Sequence, residues 1–190
     1  NKNFVSNNYL LLGNSYDNNF WNKKFPKTNI IETGYLKYDK FWLKKIIPKT
    51  IKNKEKIILI SYAGYEKEKF DYKKYRNQVI DIMEICTKIP KTKTIFKIHP
   101  TTKKKELLKI LKLYPQKNWE LVNDNHLYLT KISDVCVSIY SSASILDFLA
   151  LKKTPIELWN ILKKTKYKSK LKKLNLTYYA KDKNDFQKKI

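Results

Sequence analysis

An α/β fold around a parallel sheet is what this sequence predicts. Three observations predict it. Short apolar runs rich in Ile, Leu and Val recur along the chain, longer amphipathic stretches alternate with them, and 190 residues suffice for one core without disulfides or metals. A chain of this length buries roughly 70 % of its unfolded surface.

In order, the runs predict strands at Tyr9–Leu12, Asn29–Glu32, Lys56–Ser61, Thr94–Ile98, Glu120–Val122, Val135–Ile139, Pro155–Leu158 and Leu176–Tyr179. Tyr72–Lys88 places Tyr75, Val79, Ile82 and Ile85–Cys86 on one face, and Lys103–Leu113 does the same with Leu107–Leu108 and Leu111. Both spacings predict surface helices. Helices over Asn125–Ile132 and Ser142–Leu151 complete the alternation, and Asp182–Ile190 reads as an unfinished helix. Residues 51–190 are thus expected to form one Rossmann-like unit of roughly five or six strands. Residues 1–50 carry two short strand signals and the Lys-rich segment Lys37–Lys49. They are expected to be the tail of a preceding domain and an interdomain crossover, and the chain a fragment of a longer protein. Lys163–Lys173 reads as a solvated helix or loop.

Composition narrows the class. With 42 % hydrophobic and 14 % aromatic residues, the chain is too apolar to be disordered. No run approaches the about 20 apolar residues that span a bilayer. Cys86 and Cys136 lie in apolar segments without CxxC spacing and are expected to be buried thiols in a reducing compartment. The net charge of +24 ordinarily points to nucleic acid or an anionic membrane. Yet Arg76 is the single arginine among 41 basic residues, and Asn and Ile abound, the bias expected of AT-rich codons. Lysines scattered over every segment lack the guanidinium forks and interleaved aromatics of nucleic-acid surfaces. Trp21, Trp42, Trp119 and Trp159 are expected to pack or to lie at the rim.

In open parallel sheets, ligands bind beyond the carboxyl ends of strands. Two segments fall there. Lys97-Ile98-His99-Pro100 ends the strand Thr94–Ile98, putting an imidazole donor and an ammonium at the sheet's edge; the alternative is that His99 caps a turn. Tyr140-Ser141-Ser142-Ala143-Ser144 joins a buried strand to an apolar helix, offering hydroxyls and unpaired N–H groups to an anion. Ser144 and Asp147 also have capping-box spacing, which needs no ligand. Tyr140 adjoins the serine pair but is expected to pack in the core, and His126 reads as a loop residue.

The order Phe96-Lys97-Ile98-His99-Pro100, Ile132-Ser133-Asp134-Val135, Ser141-Ser142-Ala143-Ser144-Ile145-Leu146-Asp147 and Thr154-Pro155-Ile156 resembles the donor-binding half of GT-B glycosyltransferases of bacterial surface polysaccharides. It is most similar to families with paired HP and SS motifs: capsule Kdo transferases, sialyl- and polysialyltransferases, and CDP-glycerol glycerophosphotransferases. Asn29-Ile30-Ile31-Glu32-Thr33-Gly34, continuing to Asp39, resembles the crossover that precedes the nucleotide domain. The sequence departs from these families in Thr154 before Pro155 and in Ser61-Tyr62-Ala63-Gly64.

The resemblance implies the C-terminal half of a GT-B two-domain fold. His99, Pro100, Ser141 and Ser142, with Lys97, Tyr140 and Ala143 beside them, would bind the nucleotide donor. Asp147 stands where relatives carry an acidic residue. Imidazole, serine donors and a helix start would stabilise the leaving nucleotide without a metal or cofactor. The catalytic base would come from the other domain. The implied function is a glycosyltransferase of capsule or lipopolysaccharide synthesis, with a CMP-activated sugar as donor and a saccharide or lipid-linked acceptor. The alternatives are a CDP-glycerol-type polyol phosphate transferase, a UDP-sugar 2-epimerase-like enzyme, and a basic module binding nucleic acid or membrane surface. The expected location is the cytoplasm, with peripheral contact at the inner membrane face left open, and no specific nucleic-acid partner is expected.

Overall fold

The structure is a computed structural model that describes residues 9–12, 18–46, 55–62, 68–98, 104–139, 144–163 and 170–190. The chain divides into two compact units, Asn1–Ile47 and Pro48–Ile190.

In the first unit, β1 (Tyr9–Leu12) pairs in parallel with β2 (Asn29–Glu32), through α1 (Asn18–Lys24). Nothing in the apolar pattern predicts α1. It is a seven-residue helix on which Trp21 stacks against Phe25, with their ring centroids 5.8 Å apart and Lys24 over both rings. Gly34 follows β2 with a φ of 70°, a left-handed conformation that costs glycine little. A second short helix, α2 (Lys40–Ile46), starts where Asp39 Oδ1 accepts from Phe41 N at 2.8 Å.

The second unit is a parallel sheet of six strands with helices on both faces. The strands are β3 (Lys56–Tyr62), β4 (Thr92–Ile98), β5 (Trp119–Val122), β6 (Val135–Ile139), β7 (Ile156–Glu157) and β8 (Tyr178–Tyr179). Their order across the sheet is β5-β4-β3-β6-β7-β8. The helices are α3 (Tyr72–Cys86), α4 (Lys104–Leu111), α5 (His126–Ile132), α6 (Ser144–Ala150), α7 (Lys170–Lys173) and α8 (Lys183–Lys189).

Central β3 is buried from Ile57 to Tyr62, which is why Ile57–Ile60 is a continuous apolar run instead of an alternating one. Alternate residues feed two cores. Ile58, Ile60, Tyr62, Phe96 and Val137 pack with α3, α4 and α8. Ile57, Leu59, Ile95 and Cys136 pack with α5 and α6 through Leu129, Ile145 and Phe148. α3 starts at Asp71, whose Oδ1 accepts from Lys74 N at 3.0 Å. It buries Tyr75, Val79, Ile82, Met83 and Cys86, the helical spacing of one face.

The last strands are shorter than the apolar pattern predicts. Pro155 has no N–H to pair, and Leu176 N turns back to Leu171 O at 3.0 Å, closing α7 instead of extending β8. α6 ends the same way, with Lys153 N on Phe148 O at 2.9 Å. The residue this closing turn needs in the left-handed region is usually glycine, but here it is Asn175 (φ 55°) and Lys152 (φ 58°). Lys152→Gly is therefore expected to stabilise the unit by about 0.5–1 kcal/mol, the left-handed cost less the entropy of a freer unfolded chain. A urea midpoint that shifts upward with an unchanged slope would verify it.

Candidate functional site

After β3 the chain runs outward through β4 to β5, then returns to lay β6 on the other side of β3. This reversal makes the carboxyl ends of β3 and β6 the topological switch point of the sheet, the place where open α/β sheets bind ligands. One polar row crosses the sheet there, one residue short of the end of β3. Ser61 pairs in register with Lys97 of β4 and Ser138 of β6, and Ser138 with Glu157 of β7. Residues in register across a parallel sheet share a face, here the face covered by α5 and α6.

Each member is held differently. Lys97 Nζ donates to Asn123 Oδ1 and to its neighbour's carbonyl, Ile98 O, both at 2.9 Å. Burial pulls its ammonium below the usual lysine range, opposed by the nearby Asp124 charge. Ser61 and Ser138 are buried, and Ser138 Oγ has no hydrogen-bond partner among the described residues. Glu157 is buried and accepts from the Thr177 hydroxyl.

A second polar group joins this row through a histidine. Asn125 caps α5, its Oδ1 accepting from Leu127 N at 2.9 Å, and so sets His126 as the first helical residue. The His126 ring lies between α6 and β3. Nδ1 is 2.8 Å from Asp147 Oδ2, Nε2 is 2.5 Å from Ser61 Oγ, and the Phe148 ring centroid is 5.0 Å from that of the imidazole. Asp147, in the first turn of α6, is 2 % exposed. His126 is therefore not the loop residue its position before a helix suggests. It bridges three elements, and Asp147, open to a helix-start reading in the sequence, turns its carboxylate onto that bridge.

Of the residues expected to bind donor, Lys97 stands in the row. His99, Pro100, Tyr140, Ser141, Ser142 and Ala143 lie outside the described residues. The chain approaches them through Ile98 and Ile139, the last residues of the two strands that flank β3. Sequence reasoning missed Ser61, Ser138, His126 and Glu157. One signal was present for the serines, since each interrupts an apolar run one residue before its strand ends, in Ile60-Ser61-Tyr62 and Val137-Ser138-Ile139.

Both cysteines are buried, as expected, and burial pushes each thiol up to about 12. Neither should react with iodoacetamide at neutral pH in the folded chain, and both should react in urea. Mass spectrometry of alkylated protein with and without denaturant reads the difference.

Among the described residues no helix is long and apolar enough to cross a membrane. Solved structures with the same fold include UDP-GlcNAc 2-epimerase from Methanocaldococcus jannaschii in complex with UDP-GlcNAc and UDP. Its TM-score is 0.56 at 17% identity, over 90% of this chain and 50% of that one. The Neisseria meningitidis UDP-GlcNAc 2-epimerase bound to UDP-GlcNAc gives 0.56 at 18% identity, over 91% and 49%. A putative UDP-N-acetylglucosamine 2-epimerase from Listeria monocytogenes gives 0.59 at 12% identity, over 85% and 44%. At these identities the likeness is one of fold, Rossmann-like and of the GT-B kind, and the chain spans half or less of each of these structures. No curated protein matches the chain. A family model described as CDP-Glycerol:Poly(glycerophosphate) glycerophosphotransferase matches residues 1–180, nearly the whole length. With that match across both units, the chain belongs to the CDP-glycerol:poly(glycerophosphate) glycerophosphotransferase family.

Proposed function

We propose that this chain is the donor-binding part of a transferase that moves glycerol phosphate from CDP-glycerol to a hydroxyl of a polyol phosphate acceptor. The family match over residues 1–180 carries the reading. The reversal of strand order at β3 and β6, with Lys97 near the carboxyl end of neighbouring β4, supports it. In the reaction the acceptor oxygen bonds to the glycerol-bearing phosphorus, and the bond from that phosphorus to the bridging oxygen breaks. The electron pair leaves with CMP, and the acceptor's proton passes to a base.

His99 and the Ser141–Ser142 pair hold the phosphates in this reading, with Lys97 adding positive charge as the leaving group becomes more negative. Transfer from a CMP-activated sugar would also release CMP, but the family match favours CDP-glycerol. The proposed setting is the cytoplasm, at the inner membrane face.

Calorimetric titration with CDP-glycerol, CMP, UDP and GDP at low and high salt tests the proposal. Binding is expected to be selective for the cytidine nucleotides and to survive salt. It should weaken at least tenfold in His99→Ala and in the Ser141→Ala/Ser142→Ala double variant, since each loses charge-assisted hydrogen bonds worth about 1.5–3 kcal/mol. Selective UDP binding would favour epimerase-like chemistry. Equal, salt-erased binding of all four, unchanged in the variants, would reduce the site to a lysine-rich surface.

A further inference from the structure

The proposed function makes no use of the chain Ser61–His126–Asp147, although its members come from β3, α5 and α6 and no helix-capping or turn pattern demands it. Ser61 is 3 % exposed, and 13 % of the His126 side chain meets solvent. A carboxylate only accepts hydrogen bonds, so Asp147 keeps the ring proton on Nδ1. Nε2 is then an acceptor, and Ser61 must donate to it. A second proton on the imidazole makes Nε2 a donor too. The hydrogen bond reverses, Ser61 Oγ becomes the acceptor, and the Ser61 O–H is free to point elsewhere.

Charged and polar groups face the ring from each element around it. Asp147 does so from α6. Thr130 Oγ1, on its own helix, lies 3.4 Å from Nδ1. β3 contributes uncharged Ser61. Lys97 of β4 lies next to Ser61 in register, with the Asp124 charge, before α5, acting on it. On β6 the register partner is Ser138, uncharged and with its Oγ unpartnered among the described residues.

We propose that Asp147, His126 and Ser61 form a positioning relay at the carboxyl edge of β3, in which protonation of His126 releases the Ser61 hydroxyl to donate to a phosphate of the nucleotide donor. This rests on the donor-binding reading above. Donor affinity then rises as pH falls. CDP-glycerol is a suitable probe, because both of its phosphates are singly charged diesters that do not titrate near neutrality.

Two measurements separate the relay from the functional reading. The chain has two histidines, so in His99→Ala every imidazole signal belongs to His126. Long-range 1H–15N spectra of this variant, without ligand, are expected to show the Nδ1–H tautomer at high pH, and the Nε2–H tautomer would overturn the relay. CDP-glycerol is then titrated calorimetrically from about pH 8 to about pH 5.5, across the histidine range. The wild type is expected to gain roughly tenfold in affinity towards low pH, one hydrogen bond to a charged group. His126→Gln, which retains a hydrogen-bonding amide but cannot take up a proton, should lose that gain, and so should Ser61→Ala. Any slope left in His126→Gln belongs to His99. Coincident profiles for wild type and His126→Gln, or a flat wild-type profile, overturn the proposal. No binding at any pH overturns the functional reading and the coupling to ligand, while the tautomer still decides whether the relay exists.

Discussion

Phe148→Ala is expected to cost about 3–5 kcal/mol, the range for truncating a buried aromatic ring. Phe148 is fully buried in the smaller of the two cores, packed with Ile57, Leu59, Ile95, Leu129, Cys136 and Ile145. These residues belong to strands fixed by pairing on both sides and to two seven-residue helices, so little can move to fill the cavity. The same ring lies against His126, and its loss also loosens α6 from α5. Urea denaturation should show a large fall in midpoint with the slope retained. A cost below about 1 kcal/mol would mean that the α5–α6 face collapses freely onto the sheet.

Asp147→Ala should cost about 2–3 kcal/mol by removing the buried acceptor of a hydrogen-bonded, partly buried imidazole. Asp147→Asn should cost about half as much, since an amide oxygen still accepts from Nδ1–H. The ordering of the two variants is the informative result. Equal costs would point to the carboxylate charge, whereas a cost confined to alanine would point to the hydrogen bond. Thermal unfolding followed by circular dichroism would resolve the pair.

The strands of the larger unit were legible wherever burial on both faces writes itself as a run of branched apolar residues, as in Lys56–Tyr62 and Val135–Ile139. α3 was legible for a similar reason, since its spacing is set by one buried face. β7 and β8 were overestimated because an apolar run does not reveal where a proline or a helix-closing turn takes the backbone away from pairing. α1 carries no periodic apolar stripe and went unpredicted.

Strand ends point to a candidate site in the sequence, but its polar row could not be read there. Lys97, Ser61, Ser138 and Glu157 become neighbours through strand register, a property of the assembled sheet that no local window contains. His126 was misread for the same reason: its partners are 65 and 21 residues away in the chain.

The place of β3 at the centre of the sheet also constrains how the molecule is made. β3 is the first strand of its sheet to leave the ribosome, and β4 can pair with it soon afterwards. Its other edge waits for β6: Ile57 N meets Asp134 Oδ2 across 77 residues of sequence. During that interval the strand with the most buried residues in the unit presents an open row of N–H and C=O groups, the arrangement that recruits other chains. Synthesis is thus most exposed to aggregation between the completion of β4 and the arrival of β6, and the dense lysine charge keeps nascent chains apart through this interval.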